Sequence, residues 1–180
     1  AWLAHGEAFS LVFAIFGRFA PIGVDDNDYP KPMKFRWHLR PFASKLIVTT
    51  SSRLSMTLFI LLMLSTVTFD GFKETPLWSD IYQSIALTPY LHPLVLLIHD
   101  LGMDIHIVVE SVVFTLFPLM FLLIFLGFAW LAKRASNSEK TITEIAGLFV
   151  YSLVPIAIAY HLAHYLSYLL IAGQLIIPLA

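Results

Sequence analysis

The chain has 180 residues, 58% of them hydrophobic and only 13% charged, with a mean hydropathy of +0.80. A soluble domain carries about a quarter charged residues, so this composition excludes one and indicates a polytopic membrane protein. With a net charge of −1 nothing points to a nucleic-acid partner, and the absence of cysteine excludes thiolate metal sites, iron–sulfur clusters and disulfides and leaves His, carboxylates, Met and Tyr as candidate ligands.

A membrane-crossing helix needs about 20 mostly apolar residues. Four segments meet this to different degrees, which predicts an all-α transmembrane helix bundle forming a single domain over residues 1–180. The first span, 3–22, is interrupted by His5, Glu7 and Arg18 and ends at Pro21-Ile22-Gly23. A loop over 24–45 follows, with Lys31, Lys34, Arg36, Arg40 and Lys45. The second span, 46–69, has Arg53 near one end and is expected to stop at Asp70-Gly71. The connection 70–105 is too long for a turn and too apolar for a disordered linker. Its stretch 77–86 reads as an interfacial helix with Trp78 and Tyr82 at headgroup level. Residues 91–104 either re-enter the membrane edge or extend the third helix outward. The third span, 106–132, closes on Lys133 and Arg134, and a second basic loop covers 133–142. The fourth, 143–177, is long enough to require tilt or a break, with Pro155 and Gly173 as the candidate kinks. The chain begins at Ala1-Trp2 without Met or a basic leader, and the expectation is an internal portion of a longer polypeptide.

Both basic loops belong in the cytoplasm by the positive-inside rule. The connection between the second and third spans, with Asp70, Glu74, Asp80, Asp100 and Asp104 against Lys73 alone, belongs outside.

Positions three, four or seven apart share a helix face. His99, Met103, His106 and Glu110 form one stripe if the helix is continuous through Gly102, and His161, His164 and Tyr168 form another. His92 shares the first register, but Pro93 interrupts it; His5 and Glu7 stand at the start of the first span. Topology places all of these in the outer half of the membrane. A site shared by His99, His106, His161 and His164, with Glu110 as catalytic base, suits a divalent Zn, Cu or Fe ion. The same geometry suits a haem b clamped between the third and fourth spans. The structural alternatives are interhelical hydrogen bonds for His161 and His164, and solvated headgroup positions for His99 and His106. His38 reads as a cytoplasmic surface residue, and Arg18 and Arg53 as snorkelling side chains. Asp70 reads as a capping or pairing residue near the outer surface, and the Phe114, Phe117, Phe121 and Phe125 face as lipid-facing or packing surface.

FGRFAPIG (residues 16–23), TVTFDGFKETPLW (66–78) and above all LVPIAIAYHLAHYLSYLLIAGQLIIPLA (153–180) resemble the fenitrothion hydrolase-like polytopic membrane proteins of bacteria. The resemblance spans most of the chain, and its last block, with Tyr160, His161, His164 and Tyr165, is the most specific. It implies a multi-pass protein of the bacterial inner membrane that hydrolyses an apolar, organophosphate-type ester.

Two functions follow as expectations. One is a metal-dependent hydrolase with its site in the outer leaflet. The other is an integral subunit, with or without haem or metal, that joins other membrane-protein subunits in a respiratory or oxidoreductase assembly. A transporter would place broken helices near the midplane, and only Pro155 and Gly173 hint at that.

Overall fold

A computed structural model describes residues 7–25, 36–47 and 51–179. The chain runs through α1 (Ala8–Gly17), β1 (Ile22–Asp25), β2 (Arg36–Leu39), α2 (Leu54–Lys73), α3 (Pro76–Leu87), α4 (His92–Asp100), α5 (Ile105–Ser136), α6 (Ile142–Phe149) and α7 (Val154–Gly173). Short 3-10 turns occupy Ser44–Leu46, Pro89–Leu91, Val150–Leu153 and Gln174–Leu179.

The helix starts follow from local chemistry. The Glu7 carboxylate accepts from the backbone N–H groups of Phe9 and Ser10 at the start of α1. Asp104 does the same for His106 N–H at the start of α5, at 2.8 Å, and Thr141 with Glu144 closes a capping box on α6. Pro76 opens α3 at a position where its missing N–H costs nothing.

Three helical stretches are long and apolar enough to cross a membrane: α2, α5, and the continuous run Ile142–Pro178. Together they make the protein a multi-pass helical membrane protein. The α3–α4 pair is apolar enough to count as a fourth span but is bent by 62° between its halves, which fits a broken span or a re-entrant loop. The helix expected over 77–86 forms as α3, with its Trp78 buried against Phe69. At 32 residues, α5 extends about 48 Å, well beyond a hydrocarbon core of about 30 Å, so it must tilt or project. Only Val109 and Ala129 are buried along it. Its remaining surface is what a lipid-facing helix presents.

Three expectations change. The span over 3–22 is represented by the ten-residue α1, too short to cross alone; residues 1–6 and His5 with them lie outside the described residues. The 24–45 loop contains strand structure: β1 and β2 pair antiparallel, with Ile22 opposite Leu39 and Gly23 opposite His38. The second span starts at Leu54 and continues through Asp70 and Gly71 to Lys73. Asp70-Gly71 reads as a stop, but tertiary contacts hold this last turn helical, as described below.

The fourth span is one continuous run that changes its helical geometry at the expected kinks. Its geometry tightens to a 3-10 turn over Val150–Leu153 just ahead of Pro155, and again after Gly173.

Packing divides between the two ends of the bundle. At the end where the basic segments gather, Ile15, Leu46, Ile60, Val150, Tyr151 and Val154 form one core, and Ala129, Ile145 and Ala146 form another between α5 and α6. At the far end, where α2 stops and α5 begins, Phe69, Trp78 and Val109 join α2, α3 and α5. The Phe69 ring lies edge-on to Trp78, Phe114 and Phe117 at 5.4–5.8 Å between centroids, a geometry that adds to the burial of area. Phe114 and Phe117 are therefore packing residues.

Gly147 is where α6 meets the chain leading into α2. Its carbonyl accepts from Ser52 N–H at 3.1 Å, and a Cβ there would stand 2.6 Å from Ser52 O. By contrast, Gly127 on α5 faces open space. We expect Gly147→Ala to destabilise the protein by about 1–3 kcal/mol through overpacking, and Gly127→Ala to be tolerated. Thermal unfolding in detergent measures both; equal melting temperatures would contradict the packing described.

Candidate functional site

The last turn of α2 gathers the polar side chains of the far end. Asp70 and Lys73, three residues apart, project at neighbouring angles around the helix. One reaches α7 and the other α5.

On the α5 side, Lys73 Nζ donates to Glu110 Oε1 at 2.6 Å, and the two side chains are 30% and 32% exposed. The other carboxylate oxygen of Glu110 faces His106 Nδ1 at 3.8 Å, one helical turn away. The His106 ring lies 4.9 Å from Tyr82 of α3. Lys73 also sits at the carbonyl end of α2, where a cation is favoured by the helix dipole.

On the α7 side, Tyr165 donates to Asp70 Oδ2 at 3.3 Å. A Cβ on Gly71 would be 3.5 Å from the Tyr160 ring, so α7 passes directly over the end of α2. His161 Nδ1 is 2.7 Å from the Ala157 carbonyl. A carbonyl only accepts, so Nδ1 is the donor in this contact. The His161 ring meets Phe16 of α1 edge-on at 5.7 Å, and the His164 ring meets Tyr165 at 4.9 Å. Both histidines of α7 therefore lie within one turn of the tyrosine that contacts α2.

The stripe expected on the third span does not form across its whole length. The helix is interrupted at Gly102, which has φ +73°; α4 ends at Asp100 and α5 starts at Ile105. His99 and His92 belong to α4, Met103 lies in the break, and only His106 and Glu110 share α5. A left-handed residue is natural for glycine, and it redirects the chain between two helices.

His106 and Glu110 reach α2 through Lys73, whereas His161 and His164 approach it through Tyr165 and Asp70. Among the described residues, no group of three or more His, Cys, Asp or Glu side chains converges as metal ligands. A protein-bound zinc ion takes at least three such ligands. His106 and His161 have different neighbours, Glu110 and Tyr82 for the first and the Ala157 carbonyl and Phe16 for the second. Glu7 caps α1, and His38 lies on the inner side of the hairpin opposite Gly23.

Sequence reasoning singled out Glu110 and the histidines and passed over Lys73 as the partner. The signal was present, since Lys73 is the one basic residue in an otherwise acidic connection. Asp70 turns out to pair, though within the helix it was expected to terminate.

No family model, curated protein or solved structure matches the chain.

Breaking a half-buried ion pair from one side strands the other charge, whereas removing both charges does not. We expect Lys73→Met and Glu110→Gln each to cost about 1–3 kcal/mol, and the double variant to recover most of the loss. A double-mutant cycle by thermal unfolding in detergent measures this; simple additivity would show that the pair contributes nothing.

Proposed function

We propose that the protein is a multi-pass enzyme of the bacterial inner membrane, whose site lies at the far end of α2 and hydrolyses an apolar, organophosphate-type ester entering from lipid. The observation that carries this reading is the placement of Glu110 between Lys73 and His106. One oxygen of the carboxylate is taken by the ammonium and the other faces the imidazole. That makes Glu110 an orienting anion and His106 the proton acceptor, the division of roles found when a carboxylate positions a histidine base.

In this scheme His106 Nε2 takes a proton from a water as its oxygen attacks phosphorus. The bond to the leaving aryloxide breaks, and the imidazolium returns the proton to that oxygen. Glu110, 3.8 Å from Nδ1, closes to hydrogen-bond distance by a side-chain rotation, as catalytic contacts commonly do when substrate binds. The Tyr82 ring, 4.9 Å from that of His106, is an aromatic neighbour suited to an aryl ester. The resemblance of residues 16–23, 66–78 and 153–180 to fenitrothion hydrolase-like proteins supports the same chemistry, and the distribution of basic loops supports an outward-facing site.

The test is hydrolysis of a nitrophenyl dialkyl phosphate by the protein in liposomes. His106→Ala should lower the rate by about 10²-fold or more. Glu110→Gln should lower it too. Absence of hydrolysis above protein-free liposomes, or full activity in His106→Ala, would overturn the reading.

A second reading is favoured by the outward face of α7. Tyr168 is 72% exposed, on a segment that crosses the membrane. Polar side chains at such depth usually face protein rather than lipid. This face then docks a helix of another subunit, as in an oxidoreductase assembly, and a haem between the two would show as a Soret band. Photo-crosslinking from position 168 to a second polypeptide at fixed stoichiometry supports it; crosslinks to lipid alone argue against it.

A further inference from the structure

At the opposite end of the bundle, α1 stops at Gly17 and the chain returns through the β1–β2 hairpin. This return brings Arg40 against the open carbonyl end of α1. Its Nε donates to Ala20 O at 2.9 Å and its Nη2 donates to Gly17 O, which also accepts from Ala20 N–H. The guanidinium is thereby fixed in position. Arg18 is also held, its guanidinium 4.4 Å above the Tyr151 ring. The third cation, Lys45, extends from the turn whose next residue, Leu46, is buried in the core.

Arg18, Arg40 and Lys45, with Ser44, Ile22 and Ile47, line an open groove of about 690 Å³. No acidic side chain lines it among the described residues. Three positive charges sharing one groove repel one another, and an anion between them relieves that repulsion. Arg40 spends two of its five donors on carbonyls, and the rest remain available.

The surroundings indicate where such an anion comes from. Ile22, Trp37 and Leu39 lie on one face of the hairpin and are all exposed, and Ile47 is exposed at the groove's edge. An apolar face carrying a tryptophan beside a basic groove belongs at the headgroup level of a bilayer.

We propose that this groove binds the phosphate of an anionic phospholipid, with Arg18 and Arg40 as fixed donors and Lys45 closing over the headgroup, while the acyl chains lie along Ile22 and Ile47. Guanidinium groups suit phosphate oxygens because their donors are planar and forked. The site is independent of the polar cluster at the far end of α2.

The full chain in a neutral detergent tests this, titrated in parallel with short-chain phosphatidylglycerol, short-chain phosphatidylcholine and inorganic phosphate. Binding is read by thermal shift and calorimetry. Phosphatidylglycerol should bind with an affinity that falls as salt rises, and phosphatidylcholine should not. Lys45→Glu, an exposed change that leaves the α1 cap intact, should weaken binding roughly fivefold or more, as should Arg18→Gln. Inorganic phosphate binding as tightly as phosphatidylglycerol would make this a free-phosphate site and overturn the lipid assignment. Equal binding of both lipids, or unchanged affinity in Lys45→Glu, would overturn the groove itself.

Discussion

A lysine ammonium 2.6 Å from a carboxylate, in a chain that is 58% hydrophobic, is the contact around which the far end is arranged. Each of these charges is costly to bring near hydrocarbon without the other. Their pairing lets α2 run past Asp70 and Gly71 and fixes the start of α5 against its end. Once Lys73 is turned toward α5, Asp70 faces α7, where Tyr165 meets it. One helical turn thus reaches both helices that carry the candidate catalytic and binding residues.

The two ends of the bundle solve different electrostatic problems. At the far end, charges of opposite sign pair with each other, and the Phe69 ring lies 5.7 Å from the Lys73 ammonium. At the basic end, cations gather without acidic partners among the described lining residues; Arg40 is stabilised by carbonyls and Arg18 by an aromatic face. The first arrangement is internally neutral and suited to oriented chemistry. The second is left with positive charge to offer the membrane surface.

Much of this architecture was legible in the sequence because hydropathy runs and basic flanks act over whole helices. The spans near 46–69, 106–132 and 143–177 correspond to α2, α5 and the α6–α7 run, and Pro155 marked a real change in helical geometry. What escaped the sequence was local backbone conformation and pair formation. Gly102 takes φ +73° and removes His99 from the stripe that its spacing places beside His106. The hairpin alternates exposed Trp37 and Leu39 with inward-facing His38, but over four residues this period-two pattern is too short to stand out in a basic loop. Lys73 was visible as an isolated basic residue, yet nothing in spacing links it to Glu110, 37 positions away.

The last turn of α2 joins it to α5 and α7. Because the chain has no cysteine, paired substitutions in the otherwise native protein report on it directly. Short bifunctional thiol crosslinking in native membranes should join Lys73→Cys to Glu110→Cys and Asp70→Cys to Tyr165→Cys, and should not join Asp70→Cys to Gly127→Cys. Efficient crosslinking of the first two pairs is the result expected. Failure of either, with both single variants folded and labelled, would contradict the arrangement on which the site is built.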